Sequence, residues 1–232
     1  MLYFFLSYAH GDDDQYVAQL YRDLSAELRV QIGEERQRPV GFRDAESIRV
    51  GSTWPPDLVD AVATARTFVP LYSPRYFRSI YCGKEWSLFA WRIAAYEQHS
   101  RRRAPAMIPL WWVAAAVPRH LDDIHRSDSS FGHAYTEYGA RQLVRMRETK
   151  HHDAYLEFVT AVAIRIKETA AEHHIPPLTD RPDLTSVPNA FDRPPTVQTL
   201  SPSQPGPPPN ESSPGVSARR ERPILRYETD TP

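Results

Sequence analysis

Ser79-x-Tyr81-Cys82-x-x-Glu85 is the stretch whose residue types are best placed for chemistry. It follows an apolar run, Phe68 to Tyr72, short enough for a buried strand. Ser73-Pro74 breaks that run, and a loop rich in aromatics and arginine leads into a helix from about Cys82. Glu85 then stands in or near the first helical turn. A strand end, an exposed loop and a carboxylate at a helix start make the edge of a ligand site. In an open α/β sheet such sites lie just outside the carboxyl ends of the strands. A plainer role for Glu85 is also open, because a carboxylate beside a helix N-terminus stabilises it by a few tenths to about 1 kcal/mol. Cys82 reads as a small semi-buried residue rather than a nucleophile, since no histidine stands near it in sequence. The pairs His151-His152 and His173-His174 lack metal-ligand spacing and read as surface residues, so no metal site is expected.

The elements that must hold this stretch alternate in type. Leu2 to Ser7 suits a central parallel strand buried on both faces. Tyr8 to Asp14 is a polar loop leading into a helix with Val17, Leu20, Tyr21, Leu24 and Leu28 on one stripe. Pro39 to Phe42 reads as a second strand, and Arg43 to Gly51 as a long polar loop. Ser52 to Pro56 opens another helix, with proline near its first position. Ala106 to Val113 is a fourth apolar strand, and Arg141 to Met146 either a short fifth strand or one helix turn. Asp153 to His174 is a long helix. The pattern predicts an α/β, flavodoxin-like three-layer sandwich. Its parallel sheet has about five strands in the order 2-1-3-4-5, with helices on both faces.

Composition narrows the function classes. The chain has 232 residues, 41% hydrophobic and 25% charged, which is ordinary for a globular protein. A net charge of −1 supplies no global field to draw it to nucleic acid or to a membrane. One cysteine excludes an internal disulfide, which fits a cytoplasmic location. No apolar run approaches the roughly 18 residues of a membrane span, and the N-terminus lacks the basic region of a signal peptide. Most of the prolines fall after Ile175, among serine and threonine. Such composition cannot offset the entropy of ordering. The expected division is therefore a domain over 1–177 and a Pro/Ser/Thr-rich disordered tail or linker over 178–232.

Three motifs in order resemble the TIR domain family. Tyr3-Phe-Phe-Leu-Ser-Tyr8 is similar to its first box, and Phe42-Arg-Asp44 with Gly51 to its second box and following loop. Leu71-x-Ser73-x-x-Tyr76-x-x-Ser79-x-x-Cys82-x-x-Glu85 is similar to its third motif. The fuller wording, with Ser-Pro-Arg-Tyr-Phe-Arg-Ser, resembles actinobacterial FxsC-type TIR-like proteins, which accompany radical-SAM peptide-modification systems. The resemblance implies either of two activities. Some TIR domains cleave NAD+ at the nicotinamide–ribose bond, and others only self-associate or recruit partners. In the hydrolases a glutamate at the place of Glu85 is catalytic. Its carboxylate holds the ribose hydroxyls and stabilises an oxocarbenium-like state, as in glycoside hydrolysis.

On the same resemblance, Tyr8 and Tyr81 would orient the nicotinamide ring. Ser73, part of the matched motif, would be a substrate-binding residue, and Asp44 with the loop to Gly51 would close over the site. Several hydrolytic TIR domains carry arginine where this chain has Ala9, and His10 or Arg43 would have to substitute. NAD+ would be substrate, so no cofactor is expected. Partners would be other copies of the chain or peptide-modification proteins. A receiver-like phosphoacceptor is a third reading, given Asp12 to Asp14, but Tyr72-Ser73 stands where a receiver needs its aspartate.

Overall fold

The computed structural model describes residues 2–35, 37–44, 55–121, 129–178, 183 and 186–192. Four parallel strands form its sheet: β1 (Phe4–Ser7), β2 (Gly41–Arg43), β3 (Thr67–Tyr72) and β4 (Leu110–Trp111). Their order is β2-β1-β3-β4. Between and after them run α1 (Asp14–Ile32), α2 (Pro56–Thr64), α3 (Ile80–Ser100), α4 (His133–Met146) and α5 (His152–Glu172). This is the expected α/β sandwich, with the first four positions of the expected strand order.

The fifth strand is the difference. Arg141 to Met146 is the C-terminal part of α4, and the described residues hold four strands. Its buried residues Ala140, Leu143 and Val144 recur at three and four positions, the helical period, where a strand would alternate. Within α4, Gly139 turns to φ 73°, the left-handed region where glycine carries no Cβ penalty.

Strand alternation divides the core in two. Phe4 and Leu6 of β1, with Val69 and Leu71 of β3, pack with α1, α4 and α5. Phe5 of β1, with Phe68 and Tyr72 of β3, packs with α2 and α3. Phe5 and Phe68 are paired in register and their rings stack at 5.7 Å. Successive side chains of a strand point to opposite faces, so Ser7 shares the α3 side with Phe5. All four residues of β1 are buried, as a strand covered on both faces requires.

Arg92 of α3 is buried and ties the α3 side together through backbone carbonyls. Nη1 donates to Val62 O and Ala65 O, each at 2.7 Å, Nε to Pro176 O at 3.2 Å and Nη2 to Ile175 O at 3.4 Å. Two of those carbonyls are at or near the C-terminal end of α2, where the last turn lacks intrahelical donors.

Residues past the expected boundary at 177 also pack on α3. Ala190 N donates to Gly83 O at 3.1 Å, and Phe191 meets Tyr76, Phe77 and Trp86 at centroid distances of 5.3, 5.2 and 5.9 Å. Gly83 makes this approach possible: a Cβ there would fall 1.6 Å from Asn189 Oδ1. The sheet-bearing unit extends to Pro194. No described helix is long and apolar enough to cross a membrane.

Candidate functional site

The carboxyl ends of β1, β2 and β3 meet the start of α3 around one cavity of about 420 Å³. That volume lies within the range of small-molecule sites, about 300–1,000 Å³. β1 runs out into Tyr8, Ala9 and His10, β2 into Asp44, and the loop after β3 supplies Arg75 and Arg78. Ser79, Tyr81, Cys82 and Glu85 line the α3 side.

Helix α3 starts at Ile80, and Ser79 is its N-cap, with Oγ accepting from Cys82 N at 3.2 Å. Glu85 therefore lies in the second turn, not the first, past the reach of the helix-end field. It is also 6% exposed. Ser7 Oγ donates to Glu85 Oε2 at 2.6 Å, and Tyr76 OH lies 3.0 Å from Ser7 Oγ. Burial pushes the Glu85 carboxyl up to about 8, against the lowering effect of the Ser7 hydrogen bond and with a further rise from Asp44. At neutral pH this carboxyl holds a proton. A glutamate serving only to stabilise a helix start has no use for such burial.

The opposite wall is a network built on Tyr8. Its OH donates to Asp44 O at 2.8 Å and accepts from Arg43 Nη1 at 3.0 Å. Burial is the main reason the Tyr8 phenol is pushed up to about 12, so it stays neutral. His10 lies 4.8 Å from Tyr8 between ring centroids, and its Nε2 is 3.4 Å from Asp44 Oδ2. Cys82 Sγ donates to Tyr8 O at 3.4 Å, and burial raises its thiol well above the usual range, which makes it a poor nucleophile.

The cavity thus brings together Glu85, Tyr8, His10, Asp44 and Tyr81 among the residues singled out by sequence. Arg43 stands behind the wall, between the rings of Tyr8 and Tyr21 at 5.8 Å from each. Ser73 is fully buried away from the cavity, where its Oγ donates to Asp12 and accepts from Tyr76 N at 2.9 Å. It holds the turn that carries the arginines. Gly51 lies outside the described residues. Arg75 and Arg78 were not singled out, although the arginine content of their loop was visible and their three-residue spacing on a 3-10 turn was the available signal.

The acidic triplet is occupied by structural bonds. Asp12 pairs with Arg75 at 3.4 Å, Asp13 with Arg141, and Asp14 accepts from Gly11 N at 2.9 Å. This leaves no grouped acidic pocket for a phosphoacceptor. Of the histidine pairs, His173 is 4% exposed rather than on the surface, packed edge-on to Tyr96. The described residues hold no His, Cys, Asp and Glu group arranged for a metal ion.

The TIR domain family profile matches residues 4–144, more than half of the chain and all of the cavity's walls. The chain belongs to the TIR domain family. No curated protein sequence matches it. Within this TIR domain the three motifs occupy the three strand ends around the cavity, so motif order in sequence becomes a ring of side chains in space.

Proposed function

We propose that this TIR domain cleaves NAD+ at the nicotinamide–ribose bond, with Glu85 as the catalytic residue. One observation carries the reading: a buried glutamate lining a ligand-sized cavity, fixed by Ser7 through one oxygen and joined in that lining by Tyr8 and Tyr81. Nicotinamide in NAD+ is a cationic leaving group. When the C1′–N1 bond breaks, its electron pair goes to the ring nitrogen and positive charge develops on the ribose. An ionised Glu85 beside the ribose stabilises that charge. Water then bonds to C1′ and gives its proton to the carboxylate, so the products are nicotinamide, ADP-ribose and one proton. Tyr8 and Tyr81 orient the departing ring.

The cationic nicotinamide favours the ionised form of Glu85, so substrate and carboxylate charge each other's binding. The test is nicotinamide release from NAD+ by concentrated protein with a crowding agent, beside Glu85→Ala. Release that vanishes in the variant supports the reading. Absence of release from folded, self-associating protein refutes it.

A second reading has its own observation. Ile80 and Trp91 are 59% and 45% exposed and stand three helical turns apart on α3. Apolar residues shared by one exposed face suit contact with another protein. On this reading the domain is a TIR-like interaction module, of the FxsC type in a radical-SAM peptide-modification system or in a signalling assembly. The two readings join if assembly through α3 activates cleavage. The remaining expectation, a cytoplasmic location, is part of both.

A further inference from the structure

We propose that Arg75 and Arg78 read the diphosphate of the substrate, so that the cavity selects a pyridine dinucleotide over unphosphorylated nicotinamide riboside. The inference rests on the reading of Glu85 as the residue that faces the ribose. If the nicotinamide riboside half sits against Glu85, the rest of a dinucleotide leaves through the open side of the cavity. Arg75 and Arg78 line that cavity and are both exposed.

Their geometry suits an anion. They lie three residues apart on the 3-10 turn Tyr76–Arg78 and its N-cap, and residues at this spacing eclipse each other. Both side chains therefore issue from one side of the turn. Each is tethered through Nε: Arg75 Nε lies 3.4 Å from Asp12 Oδ1, and Arg78 Nε donates to Pro74 O at 3.1 Å. The tether limits side-chain freedom and leaves the Nη1/Nη2 pair as the outer end of each fork. That pair matches phosphate oxygens in the bidentate manner that lysine cannot reproduce. The platform beneath is rigid, since Ser73 Oγ binds both Asp12 and Tyr76 N.

The deciding experiment compares kcat/KM for NAD+ and for nicotinamide riboside in the wild type and in the Arg75→Gln/Arg78→Gln double variant. The expected result is at least a tenfold fall in the ratio of the two, carried by KM for NAD+. An unchanged ratio overturns the proposal, including when both substrates lose activity together. Calorimetric binding of ADP-ribose, run on the same proteins, separates this result from the fate of the cleavage reading. If neither substrate is cleaved, ADP-ribose bound by the wild type and at least tenfold more weakly by the double variant upholds the arginine pair. Equal binding, or no binding by the wild type at millimolar ligand, overturns it.

Discussion

Ser7 Oγ donates to Glu85 Oε2 at 2.6 Å, joining the last residue of β1 to the second turn of α3. The hydroxyl accepts in turn from Tyr76 OH at 3.0 Å, so a strand, a loop and a helix share one polar chain inside the core. The Ser7 hydrogen bond lowers the Glu85 pKa that burial raises. Ser7→Ala should therefore move the rising limb of the pH profile to higher pH. Activity near pH 7.5 should fall by up to about tenfold, the equivalent of one pKa unit. Leaving Tyr76 OH without Ser7 should also cost about 1–3 kcal/mol of stability. A pH–rate series and a urea melt check the two effects separately.

The wild-type profile has a defined sign. The carboxylate is the useful form and its pKa is about 8, so kcat/KM should rise with pH up to and through that value. A flat profile between pH 6 and 9 would remove Glu85 from the rate equation.

The same group makes stability depend on pH. Its folded pKa of about 8 lies above the ordinary 4.5, so between these values the folded protein holds a proton that the unfolded chain releases. The stability tied to that proton is complete below about pH 4.5 and is lost as pH rises through 8, at up to about 1.4 kcal/mol per pH unit. Glu85→Gln removes the dependence. Its melting temperature should match the wild type near pH 5 and exceed it near pH 8.5, while nicotinamide release falls by at least about a hundredfold.

Truncation should locate the end of the folded unit. A chain ending at 194 should melt like the full chain. A chain ending at 185 loses the buried Val187 and the partly buried Phe191 with its contacts to Tyr76, Phe77 and Trp86, and should be less stable by about 1.5–3 kcal/mol, the value of fully burying one apolar side chain. Equal melting of the two truncations would favour the boundary near 177. A third arm tests the same contact from the helix side, since Gly83→Ala should reproduce the loss by forcing Asn189 away.

Arg92→Met should cost about 3 kcal/mol or more in chemical denaturation. It strips donors from four carbonyls at once, three of them on the buried residues Val62, Ala65 and Ile175.

What was legible in sequence follows from where period and motif are strong. Phe4 to Ser7 and Thr67 to Tyr72 are continuous apolar runs, and the sheet order follows from their alternation with helices. Glu85 was found through its motif, yet its burial was not visible, because one residue of helix phase separates a helix-end carboxylate from one facing the core. The bond from Ser73 to Asp12 was hidden for a related reason: a serine after a strand looks the same whether its hydroxyl meets a substrate or a carboxylate of the fold. Arg141 to Met146 is too short for alternation and helical period to differ until Gly139 and the packing decide. Val187 to Phe191 was hidden by the prolines around it, since composition averages over a single aromatic anchor.

The contact between Phe191 and the start of α3 also sets a schedule. A chain emerging from the ribosome can pair β1 with β3 and wind α3 long before Phe191 is made. Phe191 and Ala190 reach Trp86 and Gly83 only after α4 and α5 have been made, so a nascent α3 carries Glu85 before that side of its first turns is covered. Folding of the cleft's frame and covering of the α3 start are thus separable in time, more than 90 residues of synthesis apart.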